Sequence, residues 1–224
     1  MRRVACVIPA LNAEETLASV IAGIRRAING VYVIAVDDGS TDRTAAIVRA
    51  DADGKILFSR NQGKGAALRA GFAAALDDHA DVILTIDADG QHDPAFAPAL
   101  VEALDRADVA IGARARTSVM PAGRRLTNHL SAVAVERCVG RPIDDAQSGY
   151  RALTANVVAD VRPKGNRYEF ETEFLILAAR RGYTLSFVTI PTTYGTPVPS
   201  QFRPIRDSAR IVRTLWRFGM GASR

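Results

Sequence analysis

Along the first half of the chain, short unbroken apolar runs alternate with stretches where apolar residues recur every three or four positions. Residues 4–8 form the first run, and Pro9 stops it. Residues 31–36, 55–59, 82–86 and 109–112 are the later ones. Runs of this length between turn residues predict strands, most of them buried on both faces. Between the first two, Leu17, Val20, Ile21 and Ile24 keep helical spacing, and Asn12 is placed to cap that helix. Ser40 or Thr41 is expected to cap a second helix through Val48. Gly63 and Gly65 form a turn into an Ala-rich helix through Leu76, and Pro94 suits the first turn of a helix ending near Leu104. Strands alternating with helices predict an α/β fold with a mostly parallel sheet covered on both faces. With 224 residues, no linker composition and no repeat, one domain over residues 1–224 is expected.

Parallel sheets bind ligands at the carboxyl ends of their strands. The acidic residues stand there. Asp37 and Asp38 follow the second run, and Asp87 and Asp89 follow the fourth. In Asp87-Ala88-Asp89-Gly90-Gln91-His92, two carboxylates one residue apart can turn toward one point where the strand ends. Mg²⁺ or Mn²⁺ takes one or two carboxylates and completes its shell with water and phosphate oxygens. Asp37-Asp38-Gly39-Ser40-Thr41-Asp42 offers acceptors to a nucleotide's base or ribose. The same segment suits a helix N-terminus, with Asp42 favoured by the helix dipole. Asn61-Gln62-Gly63-Lys64-Gly65 is not a Walker loop, since Gly follows Lys64. It reads as a tight turn with Lys64 toward the ligand. The first strand has no G-x-G-x-x-G, which argues against a dinucleotide dehydrogenase. Asp144-Asp145-Ala146-Gln147-Ser148-Gly149-Tyr150-Arg151 is a polar cluster in which Asp145 is expected to orient an acceptor or contact a sugar. Arg114, Arg116, Arg124 and Arg125 suit bidentate phosphate contacts or a solvated basic loop.

Charge sharpens this picture. Residues 1–112 carry 11 Lys/Arg against 16 Asp/Glu, whereas residues 113–224 carry 18 against 8. An acidic first half suits a bound cation, and a basic second half suits phosphate groups or an anionic membrane. Arg203, Arg206, Arg210, Arg213 and Arg217 are spaced 3, 4, 3 and 4 apart, which puts them on one helical stripe. Ile205, Val212, Leu215 and Trp216 fall mostly away from it. Such a helix either docks on the core with its Arg face in water or lies on an anionic membrane surface. Cys6 and Cys138 make neither a disulfide framework nor a metal-ligand spacing. No stretch approaches spanning length. The expected location is cytoplasmic, with peripheral contact at the inner face of the plasma membrane, and no nucleic-acid partner is expected.

On these motifs the chain resembles the inverting glycosyltransferase family 2, and within it the dolichyl- and polyprenyl-phosphate sugar synthases. The resemblance is carried by Ile8-Pro9-Ala10-Leu11-Asn12, by the Asp37–Asp42 and Asp87–Pro94 segments, and by Asn61 with Gly63-Lys64-Gly65. Gly112-Ala113-Arg114 and Gln147-Ser148-Gly149-Tyr150-Arg151 add to it. It implies a GT-A fold whose first half, residues 1–112, binds a nucleotide sugar and whose second half, residues 113–224, binds the acceptor. By the same implication, Pro9, Ala10, Asn12 and Asp38 line the nucleotide pocket beside Asp37, Lys64 and Ala88. Asp87 contacts the nucleotide sugar, Asp89 and Gln91 hold Mg²⁺ or Mn²⁺, and Arg114 and Arg203 reach phosphate. Arg125, Ser131 and Gln147 meet the acceptor. The sequence departs from the family where Ala13 stands in place of a common Glu and Gln201 in place of a common Lys. No Gln-x-x-Arg-Trp of chain-elongating synthases is present. The expected reaction is sugar transfer from a GDP-mannose- or UDP-glucose-type donor to a polyprenyl phosphate or other lipid-linked acceptor, with Asp89, Asp145 and Arg114 as the catalytic set. Asp145 is the candidate base if the acceptor is a hydroxyl. A sugar-phosphate nucleotidyltransferase and a non-catalytic nucleotide-sugar-binding protein are the alternatives.

Overall fold

The computed structural model describes residues 2–114, 132–133, 135–191 and 204–220. Seven strands make one sheet in the order β3-β2-β1-β4-β6-β5-β7. They are β1 (Val4–Ala10), β2 (Tyr32–Asp37), β3 (Gly54–Leu57), β4 (Val82–Thr85), β5 (Val109–Arg114), β6 (Arg151–Thr154) and β7 (Leu185–Ile190). β1 pairs in parallel with β2 and β4, β2 with β3, and β5 with β7. β6 alone runs against its neighbours, lying antiparallel between β4 and β5.

Among the described residues the helices include α1 (Leu17–Ala27), α2 (Thr44–Asp51), α3 (Lys64–Asp77), α4 (Ala97–Ala103), α5 (Ala155–Asp160), α6 (Glu169–Arg180) and α7 (Pro204–Met220). Because a strand's side chains alternate, β1 feeds two cores. Cys6 and Ile8 pack with Leu17, Ile21 and Ile24 of α1 and Leu100 of α4 on one face. Ala5 and Val7 pack with Leu68 and Phe72 of α3 and Phe170 and Phe174 of α6 on the other. Both faces are covered, which is why β1, β2 and β4 read as continuous apolar runs.

Three local expectations are corrected. Asn12 does not cap α1, which starts after Thr16 with no side-chain cap. Asn12 instead sits at φ 50, and its side-chain oxygen accepts from Thr41 N at 2.9 Å. Ser40 returns the contact by accepting from Asn12 N at 2.9 Å. Neither Ser40 nor Thr41 caps α2, which starts after Arg43 with no side-chain cap, while Asp42 accepts from Thr44 N, the first residue of the helix, at 2.9 Å. The motif after β1 and the motif after β2 are therefore laced to each other, which fixes both strand ends.

The third concerns α7, which has three sides rather than two. Thr214 is buried and Leu215 and Phe218 pack against the protein, while Val212 and Trp216 are 63% and 65% exposed. Arg217, half exposed, reaches the buried Glu173 at 2.5 Å, and Arg210 and Arg213 stand at the surface. A 3.6-residue period shows which residues share a stripe. It does not show which stripe meets the protein.

Candidate active site

The carboxyl ends of β2, β1 and β4 stand side by side. Ala10 is in register with Asp37, and Asp38 N donates to Ala10 O at 2.8 Å. Asp37 accepts from Ser40 N at 3.1 Å. Asp38 is buried, and its two oxygens accept from Gln62 N at 2.6 Å and Gly63 N at 2.8 Å. Gly63 holds φ +103, a left-handed conformation open to glycine, and so turns the chain directly into α3. Burial pushes Asp38 up, against the lowering by those two N–H groups and by the Arg167 charge.

Lys64, the residue after that turn, reaches Asp87. Its Nζ lies 2.5 Å from Asp87 Oδ1 and 3.0 Å from Glu171 Oε1. Burial alone would lower the ammonium, but the two carboxylates outweigh it and hold Lys64 charged, well above its ordinary value. Burial likewise opposes ionisation of Asp87, and Lys64 overrides it to hold that carboxyl below the usual range. Asp89, two residues on, makes no ion pair among the described residues, and Lys64 reaches it only as a weaker influence. Burial and the Asp87 charge push it up, although Gln91 N donates to its Oδ1 at 3.0 Å. Ala88 between them is buried in the core, and its carbonyl accepts from the Thr16 hydroxyl at 2.6 Å. That contact pins the acidic segment to α1.

The far wall comes from the second half. Arg114 at the end of β5 grips Asp145 through Nε at 2.7 Å and Nη2 at 3.1 Å. Asp145 also accepts from Gln147 N at 3.0 Å and Ser148 N at 3.1 Å. Burial raises Asp145, but the Arg114 bonds and charge and the Gln147 N–H prevail and hold it below the ordinary carboxylate range. The loop that follows meets Asp87 closely. A Cβ on Gly149 would stand 2.6 Å from Asp87 Oδ2 and 2.8 Å from Lys64 Nζ, so only glycine lets β6 approach. His92 is buried beside Tyr150 with ring centroids 5.5 Å apart, and its Nδ1 meets no described partner. Burial lowers His92 and keeps it neutral near pH 7.

The structure thus brings Pro9, Ala10, Asp37, Asp38, Lys64, Asp87, Ala88, Asp89 and Gln91 to one rim. Arg114, Asp145 and Gln147 form the opposite side, and Asn12 lies at the outer edge of the first motif. Arg125, Ser131 and Arg203, like Arg116 and Arg124, lie outside the described residues.

Two buried charges stand here as well: Glu171, which was not singled out from the sequence, and Arg151, which was read only as the end of the Gln147–Arg151 motif. Glu171 sits in the first turn of α6 against Lys64. Arg151 donates to Ser148 O at 2.7 Å, Glu171 O at 2.9 Å and Ala146 O at 3.0 Å, and so moulds the Asp145 loop. The signal for Arg151 was present, as a charged residue opening an apolar tetrapeptide. No local signal marks Glu171. Among the described residues no three His, Cys, Asp or Glu cluster as a ready-made metal cage.

Comparison with known proteins gives a consistent answer. The model of the family described as Glycosyl transferase family 2 matches residues 5–162. The chain is 33% identical over 213 residues to polyprenol monophosphomannose synthase of Mycolicibacterium smegmatis, covering 86% of this chain and 77% of that protein. It is 31% identical over 206 residues to undecaprenyl-phosphate mannosyltransferase of Micrococcus luteus, covering 86% and 83%. It is also 30% identical over 190 residues to dolichyl-phosphate hexose transferase of Haloferax volcanii, covering 84% and 81%. Among solved structures, glucosyl-3-phosphoglycerate synthase from Mycobacterium tuberculosis, in complex with Mn²⁺, UDP and glucosyl-3-phosphoglycerate, superposes with a TM-score of 0.76 at 23% identity. That match covers 98% of this chain and 80% of the synthase and shows the shared fold.

Proposed function

The chain belongs to glycosyl transferase family 2, and on that premise we propose that it moves a sugar from a nucleoside-diphosphate sugar to a polyprenyl phosphate, by one displacement that inverts the anomeric carbon. The donor is of the GDP-mannose or UDP-glucose type. Its nucleoside lies along Pro9, Ala10, Asn12, Asp37 and Asp38, and its diphosphate and sugar lie over Lys64, Asp87, Ala88 and Asp89. Family membership displaces the nucleotidyltransferase alternative. The named relatives act on polyprenyl, undecaprenyl or dolichyl phosphates.

The observation that carries the acceptor assignment is Asp145. A hydroxyl acceptor needs a base to take its proton. Asp145 is the carboxylate placed for that task, and four hydrogen bonds, two of them from Arg114, hold it below the ordinary range. A carboxylate so stabilised is a weak base. A phosphate monoester, with its second pKa near ~6, is already largely dianionic at neutral pH and needs none. Asp145 then serves to aim Arg114 and, through the backbone of Gln147 and Ser148, to shape the acceptor side. Arg125 and Ser131 are assigned to the acceptor phosphate and Arg203 to the donor diphosphate.

Mg²⁺ or Mn²⁺ fits the donor side. Asp89 is a carboxyl whose ionised form is opposed by burial and by Asp87 more than the Lys64 charge and the Gln91 N–H favour it, and such a group is relieved by a divalent ion. Asp89 and Gln91 would hold it. When bound, such an ion offsets negative charge on a departing nucleoside diphosphate. The protein's own part is positional. Lys64 stays charged, Asp87 stays ionised, His92 stays neutral, and Arg114 carries positive charge toward the phosphates.

Contact with an anionic membrane surface completes the reading. Among the described residues no helix is long and apolar enough to cross a membrane. α7 shows the solvent Val212 and Trp216 one turn apart, with Arg210 and Arg213 also exposed, which is the make-up of a segment that lies in a headgroup layer.

The test is direct. The protein is incubated with Mn²⁺, a short polyprenyl phosphate and labelled GDP-, UDP- or dTDP-sugars, and the lipid product is isolated. One donor is expected to give a glycosyl phosphate of inverted anomeric configuration. Transfer of a nucleotidyl group, or retention of configuration, would refute the proposal.

A further inference from the structure

We propose that Glu171 is a positioning residue for the donor: it holds the Lys64 ammonium on one oxygen of Asp87, so that the other oxygen stays open to the nucleotide sugar. The inference rests on the donor reading of Asp87 given above. Lys64 Nζ stands 2.5 Å from Asp87 Oδ1 and 3.0 Å from Glu171 Oε1. No described protein donor meets Asp87 Oδ2, the Asp87 side chain stays 24% exposed, and Gly149, which packs against the carboxylate, brings no side chain to close it off. A lone ammonium beside a lone carboxylate settles astride both oxygens, where its attraction is greatest. Glu171 breaks that symmetry by pulling Lys64 aside. Its side chain is only 7% exposed, in a helix whose neighbouring core residues are Phe170, Phe174 and Leu175. Burying a carboxylate there costs more than burying an apolar residue of similar size. The cost is offset by the attraction of Lys64, 3.0 Å away, which Glu171 draws to one side of Asp87. Glu171 thereby couples α6, from the second half of the chain, to Lys64 and Asp87 of the first.

The experiment measures UDP and GDP binding by calorimetry in the presence of Mn²⁺. Substituting Glu171→Gln keeps shape and removes charge. It is expected to weaken binding of the preferred diphosphate about tenfold, the effect of losing one charge-assisted contact, while the KM for polyprenyl phosphate stays within about twofold. Glu171→Asp keeps the charge and is expected to recover part of the loss. Combining Glu171→Gln with Lys64→Met removes both charges of the buried pair together, and binding by this double variant is expected to match Lys64→Met alone. Equal diphosphate affinity in wild type and Glu171→Gln would overturn the proposal, as would an undiminished effect of Glu171→Gln in the Lys64→Met background. Wild-type protein that binds neither diphosphate would instead refute the donor reading itself.

Discussion

Replacing Asp145 by Asn separates a base from a positioning group. The carboxylate accepts four bonds: from Arg114 Nε and Nη2, and from the Gln147 and Ser148 amides. An Asn oxygen in the place of Oδ1 keeps the two amide bonds. Its NH₂ then faces the Arg114 Nε donor at a site where 2.7 Å separated opposite charges. The variant thus loses one charged pair and sets two donors against each other. Removing one partner of a buried ion pair costs about 3–5 kcal/mol. The Arg114 side chain is 21% exposed, so water recovers part of that. We expect a stability loss of about 2 kcal/mol, at the low end for a partly solvated charged bond. Transfer to polyprenyl phosphate should fall by roughly ten- to a hundredfold as Arg114 loses its aim, the range that about 1.4 to 3 kcal/mol represents. The assay is kcat/KM against pH from 5 to 9. Asp145 is held below the ordinary range and is ionised throughout that window, so it contributes no limb. The acid limb should follow the acceptor's second ionisation near ~6 and be the same in wild type and Asp145→Asn. An acid limb that disappears in the variant would show Asp145 to be the base and refute the phosphate-acceptor argument.

Three further outcomes follow from the same geometry. Asp89 has its pKa raised in the folded protein, so its ionised form destabilises the fold at pH values above that raised pKa, and the penalty fades as pH falls through it. Metal-free Asp89→Asn should therefore melt higher than wild type at pH 7, with the difference closing toward pH 4, and a lower melting temperature at pH 7 would contradict this. Arg151→Met strips hydrogen bonds from three buried carbonyls and should cost about 3–5 kcal/mol in denaturant unfolding; a loss under about 1 kcal/mol would show that the loop from Ala146 to Ser148 is held by other means. Trp216→Glu should reduce sedimentation with anionic vesicles at least about tenfold and leave UDP and GDP binding unchanged, whereas unchanged sedimentation would remove α7 from the membrane contact.

What could be read from the sequence was whatever the local pattern carries. The buried strands β1, β2, β4 and β5 announced themselves as apolar runs, and the acidic residues at their ends marked the site. β6 did not, because Arg151–Thr154 is four residues long and opens with a charge, and its antiparallel insertion between β4 and β5 depends on partners far along the chain. The caps were misassigned because Asn12, Ser40 and Thr41 bond across two loops rather than to their own helices. Lys64 was expected near the ligand, but its second carboxylate arrives from Glu171, more than a hundred positions later, and no spacing rule connects them. The face of α7 that meets the protein was likewise beyond the local pattern, because Arg217 pairs with Glu173 of α6 while Trp216 stays 65% exposed.

Asp89 and Gln91, just past the end of β4, are proposed to hold a divalent cation against a nucleoside diphosphate. Phosphorus relaxation of the preferred diphosphate, measured with Mn²⁺ and substoichiometric protein, tests it most directly. Wild-type protein is predicted to broaden both phosphorus signals strongly, with Asp89→Asn giving no broadening beyond that of free Mn²⁺. Equal broadening by the two proteins would contradict the account.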